Sequence, residues 1–214
     1  KNENLFSSEL RLFKKALGDI RGKKLLSVGC GSGLFESFID SSGIEGIEPS
    51  IDMGHIAEKR GVNIIKYALI EDVELAHDYY DIIYFNGSSS YIEKLEPVYD
   101  KCFKALKKNG RLILFDVPKE SAFGFMYLLG KSLNTYDHEY LKGAMPSLPY
   151  PIELASSGIW HTSEEKINIL KSLGANKFTF YQTLLRNPIY TNEEEEDVSE
   201  GYKSGGYVAI IAEK

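Results

Sequence analysis

Short apolar runs alternate with amphipathic stretches from Lys24 to Val117, and this rhythm limits the fold more than any other feature of the chain. The runs at 24–30, 43–48, 63–67, 81–85 and 111–117 are too apolar for strands with one wet face. Strands of this kind are buried on both sides, as parallel strands covered by helices are. Between them, 34–41, 51–60 and 95–107 read as helices, the second closed by Gly61. An earlier helix is marked by Leu5, Leu10, Leu12, Phe13, Ala16 and Leu17 and closed by Gly18. This β-α-β order predicts an α/β fold with a Rossmann-like, doubly wound sheet.

The pattern changes after Pro118. Residues 119–160 are rich in Tyr, Phe, Pro and Ser, with one helical stretch near 121–131. They read as a lid over the sheet's C-terminal edge, inserted into a single domain spanning 1–214. Thr162-Ser163-Glu164-Glu165 is a capping box that opens a helix to Leu173, closed by Gly174. Residues 177–186 and 207–213 then form two strands of an antiparallel terminal hairpin. The acidic run 193–197 between them reads as a solvated loop.

Bulk properties narrow the function. A net charge of -6 with no basic stripe argues against a nucleic-acid partner. No apolar run reaches the ~18 residues of a membrane span, so a cytoplasmic protein is expected. Cys30 and Cys102 match neither a disulfide framework nor a metal-ligand spacing, and no metal site is expected.

Chemistry first enters at Gly29-Cys30-Gly31-Ser32-Gly33, which follows a strand and opens a helix. Glycines there permit a tight turn and a close backbone approach to a ligand. Nicotinamide enzymes use G-x-G-x-x-G, whereas here Leu34 stands where the third dinucleotide glycine belongs. One strand later comes Glu48, before Pro49, where a carboxylate can accept both hydroxyls of a ribose.

These residues resemble the class I S-adenosylmethionine-dependent methyltransferases of the broad type 11 kind. Supporting segments are Val28 to Gly33, Gly46-Ile47-Glu48-Pro49-Ser50, Tyr80-Asp81-Ile82-Ile83 and Leu106-Lys107-Lys108-Asn109-Gly110-Arg111-Leu112-Ile113. The terminal hairpin is similar to the family's antiparallel seventh strand. From Trp160 to Tyr207 the chain is also similar to small prokaryotic members described as amine N-methyltransferase-like. The resemblance implies a seven-stranded, mostly parallel sheet and S-adenosyl-L-methionine as cofactor.

It further implies that Gly29, Cys30, Gly31 and Gly33 line the methionine and ribose, with Glu48 on the ribose hydroxyls. Ile51, Asp52 or Met53 would lie near the adenine, with Pro49 and Ser50 also among the cofactor-binding residues. Leu69, Ile70 and Glu71 would meet the adenine edge, and Asn86 and Gly87 the methionine ammonium. Two positions depart from the family. Many members carry an acid where this chain has Ser27, and the frequent adenine-binding Asp is Leu69 here, with Glu71 or Asp72 as substitute.

The implied reaction is methyl transfer to a small-molecule N or O acceptor. Because the cofactor is already activated, positioning and desolvation are the protein's main contribution. Acceptor-side candidates are Tyr91, after the Asn86–Ser90 loop; His161, ahead of the capped helix; and Asp116, at a strand's carboxyl end. Competing functions are a non-catalytic adenosylmethionine-binding regulator, a macromolecule methyltransferase and a nicotinamide-dependent reductase. The Asn-Pro-Pro-Tyr motif of many nucleic-acid and glutamine N-methylating enzymes is absent, with Asn86-Gly87-Ser88-Ser89 in its place.

Overall fold

Neighbouring side chains of a strand point to opposite faces of its sheet, so a strand buried on both sides feeds two cores. The computed structural model, which describes residues 2–141, 143–146 and 148–214, has this arrangement. The strands are β1 (Leu25–Val28), β2 (Ile44–Ile47), β3 (Asn63–Lys66), β4 (Tyr80–Asn86), β5 (Leu106–Asp116), β6 (Lys177–Thr183), β7 (Ser199–Glu200) and β8 (Tyr207–Glu213). They form one sheet in the order β3-β2-β1-β4-β5-β8-β6-β7. Pairing is parallel from β3 through β5 and antiparallel for β8 against both β5 and β6.

The helices are α1 (Glu3–Leu17), α2 (Ile51–Lys59), α3 (Leu95–Ala105), α4 (Ala122–Leu133), α5 (Ile152–Ser157) and α6 (Ser163–Ser172). On one face Leu26, Ile83, Leu112 and Ile210 pack with Val98 and Tyr99 of α3 and Ile167 and Leu170 of α6. On the other, Leu25, Tyr84, Phe115 and Ile211 pack with Leu12 and Phe13 of α1 and Tyr127 of α4. Each fully buried side chain of this size contributes about 1.5–3 kcal/mol, which is why short strands suffice here.

Four expectations need correction. The sheet has eight strands rather than seven, because Ser199 and Glu200 pair with Gln182 and Tyr181 at its edge. No α-helix forms over 34–41; there is only a 3-10 turn at Glu36–Phe38. Local helix preference in that stretch is overridden by packing. Its aromatic rings are instead taken by α1, with Phe6 edge-on to both Phe35 and Phe38.

The turn expected at Asn109-Gly110 is an irregularity inside β5, with Asn109 left-handed at φ 62° and the register shifting between Tyr80 and Ile82. The acidic run is docked, not merely solvated. Arg11 holds Glu195 and Asp197, Arg186 holds Glu194, and buried Glu196 accepts the Leu185 N–H at 2.6 Å.

The capping box forms as expected: the Glu165 N–H donates to Thr162 Oγ1, and the Thr162 N–H donates to Glu165 Oε2. Among the described residues, no helix is long and apolar enough to cross a membrane.

Candidate active site

Strand order reverses between β1 and β4, and the carboxyl ends of such strands border a crevice where α/β sheets bind ligands. Two cavities open there. One, of about 430 Å³, is lined by Gly29, Gly31, Glu48, Pro49, Met53, Leu69, Ile70, Glu71, Asn86 and Gly87. The sequence had marked all of these. Cys30, Gly33 and Ser50 are not in its lining.

Local backbone explains this division. Gly29 and Gly31 have φ of 66° and 55°, a left-handed conformation that glycine adopts at little cost. A Cβ on Gly29 would also stand 2.6 Å from that of Ser88, so the loop can approach the end of β4 only as glycine. Gly33, also left-handed, turns away to pack on Ala57 of α2, where an added Cβ would be 3.1 Å from that residue. Ser50 caps α2, its side chain accepting from the Met53 N–H. Burial and the nearby Glu36 and Glu48 push the Cys30 thiol up to about 12, leaving it unreactive at neutral pH.

Glu48 is only 6% exposed. Its Oε2 accepts the Gly31 N–H at 2.8 Å and its Oε1 the Ser50 N–H at 2.9 Å. Each oxygen keeps a second lone pair for a ligand hydroxyl. The loop after β3 is pinned from α3, where Lys101 Nζ donates to the carbonyls of Ile70 and Glu71.

Ser27, the position that departs from the family, is answered by a residue that sequence reasoning missed. Buried Glu36 accepts hydrogen bonds from the Ser27 hydroxyl and the Tyr84 phenol, both at 2.8 Å. Its signal was a lone acid inside Leu34-Phe35-Glu36-Ser37-Phe38. Desolvation raises its pKa, and the two donors partly offset that.

The second cavity, of about 400 Å³, shares Asn86, Gly87, Tyr91 and Tyr150 with the first. Phe123, Tyr127 and Trp160 line it, the Tyr127 ring lying 5.1 Å from that of Trp160 and 5.6 Å from that of Tyr150. Phe125 and Tyr140 of the same segment are exposed instead. The Tyr91 and Tyr150 hydroxyls hydrogen-bond at 2.8 Å where the cavities meet. Burial and then that partner raise the Tyr91 pKa, so it is a donor at neutral pH rather than a base.

Asp116 also lines the second cavity, but its carboxylate is bound by Lys166 Nζ at 2.5 Å and by the Ser90 hydroxyl at 3.3 Å. His161 lines neither cavity. Its Nδ1 lies 3.8 Å from Glu165, its Nε2 is buried without a partner among the described residues, and burial and Lys166 lower its pKa. Glu9 of α1, which the sequence reading did not single out, also lines this cavity.

Comparison with known proteins agrees with this geometry. A type 11 methyltransferase-domain model matches residues 26–114, which run from β1 into β5. A Thermotoga maritima S-adenosylmethionine-dependent methyltransferase, described as a possible histamine N-methyltransferase, is 26% identical, with a TM-score of 0.80 over 100% of this chain and 90% of that one. An uncharacterized protein of Methanocaldococcus jannaschii is 27% identical over 100% of this chain and 91% of its own length.

A geranyl diphosphate C-methyltransferase from Streptomyces coelicolor, solved with S-adenosyl-L-homocysteine, shares the fold at 14% identity and a TM-score of 0.61, covering 97% of this chain and 75% of that one. A methyltransferase-domain model matched across the parallel strands, and a likeness to the Thermotoga protein along the whole of this chain, support an S-adenosylmethionine-dependent methyltransferase on a class I fold.

Proposed function

We propose that the chain transfers a methyl group from S-adenosylmethionine to a nitrogen or oxygen of a small molecule held in the second cavity. The carrying observation is that two cavities of similar size meet over Asn86, Gly87, Tyr91 and Tyr150. One has the donor set for an adenosyl ligand, and the other is aromatic. When bound, the cofactor supplies a methyl group on a sulfonium, already activated for displacement.

In this reading Glu48 takes the ribose hydroxyls, with Gly29 and Gly31 giving the close backbone approach. Met53, Leu69, Ile70 and Glu71 flank the adenine. The ends of β4, Asn86 and Gly87, face the aminoacyl part. Glu36, behind Ser27, places a carboxyl close to where family members carry an acid on β1. Ser27 and Glu36 therefore stabilise the loop and do not contact the acceptor.

Residues 119–160 act as the lid in this reading. Tyr150 reaches the junction of the cavities, and the Ile159 N–H donates to the Ser90 carbonyl at 2.7 Å, tying the segment to the end of β4. A lid of this kind excludes water from the transfer. An acceptor space of about 400 Å³ suits a small molecule better than a polymer. The description of the Thermotoga relative as a possible histamine N-methyltransferase points the same way. Among the described residues no His or free carboxylate stands at the junction itself, so the acceptor atom is positioned there mainly by Tyr91 and Tyr150.

Calorimetric titration with S-adenosylhomocysteine tests the cofactor half. The protein is expected to bind it, and Glu48→Ala to weaken binding about tenfold or more through loss of the charged acceptor. Absence of binding by the unmodified protein would overturn the reading.

A further inference from the structure

Helix α1 should show solvent one face and the core another, since residues at i, i+3, i+4 and i+7 share a side. Leu5, Leu12, Phe13 and Ala16 form that inner stripe, and Glu9 falls in its middle. A carboxylate among core positions breaks the local rule, and such breaks concentrate at functional sites.

The structure gives the break a destination. Glu9 lines the second cavity, beside Tyr127 of α4 and Tyr207 of β8. No hydrogen-bond or ion-pair partner among the described residues reaches its carboxylate. The other acid of the lining, Asp116, is already neutralised by Lys166. Among the described residues the lining has no Lys, Arg or His. The cavity therefore pairs one unpartnered acid with aromatic faces, a combination that in the ionised form of the acid favours a cation and repels an anion.

Resting on the methyltransferase reading above, we propose that Glu9 is the acceptor-side carboxylate, which receives the ammonium head of a small amine and takes a proton from it. In that step one N–H bond breaks and an O–H bond forms on the Glu9 carboxyl. The electron pair stays on nitrogen, which becomes the neutral nucleophile that methyl transfer requires. Burial pushes the Glu9 carboxyl up to about 8, so at neutral pH it can exchange a proton with such a head. The titratable groups around it are the phenols of Tyr127, Tyr207, Tyr91 and Tyr150, and the closed Asp116–Lys166 pair.

The test uses calorimetry on the complex with S-adenosylhomocysteine, and the ligands are a panel of small primary and secondary amines. The panel includes 2-phenylethylamine, with 2-phenylethanol and 3-phenylpropionate as matched neutral and anionic controls. At least one amine is expected to bind, and 2-phenylethylamine to exceed both controls by about tenfold or more.

Glu9→Gln should abolish the amine preference and leave S-adenosylhomocysteine affinity unchanged, whereas Glu9→Asp should keep part of the preference. A second readout is the ¹³C titration of the Glu9 carboxyl, identified by its loss in Glu9→Gln. Its midpoint should fall when amine is added, because a nearby cation favours the charged form. Binding of no amine, preference for either control, or an amine preference that survives Glu9→Gln would overturn the proposal. If S-adenosylhomocysteine failed to bind, the methyltransferase reading itself would fall, which is a separate result.

Discussion

Two carboxyl groups of the second cavity, Glu9 and Asp116, differ in whether any described residue pairs with them, and their expected mutational behaviour differs accordingly. Glu9 has a folded-state pKa of about 8 against an ordinary 4.5, so the folded protein binds more protons than the unfolded chain between those values. Stability contributed through this group is thus full below pH 4.5 and declines as pH rises towards 8.

Glu9→Gln should flatten that decline and raise the melting temperature at pH 8 by about 2–4 °C, with little difference near pH 4.5. Thermal melts of both proteins across this range check it. Asp116 behaves in the opposite way. Its pair with Lys166 is almost wholly buried, so removing one partner strands a charge. Lys166→Met should destabilise the fold by about 3–5 kcal/mol in denaturant unfolding. Adding Asp116→Leu should restore much of that loss.

At the scale of elements, α6 matters because its Ile167 and Leu170 cover one face of the sheet and its Lys166 reaches Asp116. Its start rests on the reciprocal bonds of Thr162 and Glu165. Thr162→Ala should therefore cost about 1 kcal/mol of stability, read from the shift of the denaturation midpoint. Cofactor affinity should be unchanged.

Elements like this were legible from sequence because their signals are local. Cap residues, glycine stops and apolar periodicity placed α1, α2, α3 and every parallel strand. Residues 34–41 misled for the same reason. Their helical look is local, whereas their conformation is set by α1 and by the burial of Glu36 beneath Tyr84. The two-residue β7 carries no pattern at all and exists only because β6 is there to pair with.

For the whole molecule, residues at the sheet's carboxyl edge and residues from the segment after α4 line one cavity together. Tyr150 and Leu154, from beyond α4, line the first cavity alongside Glu48 and Gly31. S-adenosylhomocysteine should therefore slow hydrogen exchange in 119–160 as well as in the loops after β1 and β2. Ligand at about 100 times its dissociation constant should add about 2.7 kcal/mol of stability. Mass-spectrometric exchange with and without the ligand measures the first effect, and protection confined to the sheet loops would refute the lid.

The amino-acid sequence by itself determined the doubly wound sheet, the glycine loop and Glu48, because strand burial, left-handed glycines and a carboxylate at a strand end are written in short stretches. Tertiary structure alone decided which side chains meet in the second cavity. Glu9 and Tyr207 lie at opposite ends of the chain, Asp116 is 50 residues from Lys166, and Ser27 is joined to Glu36 only by folding. Such pairings depend on long-range packing, which no local pattern of residues encodes.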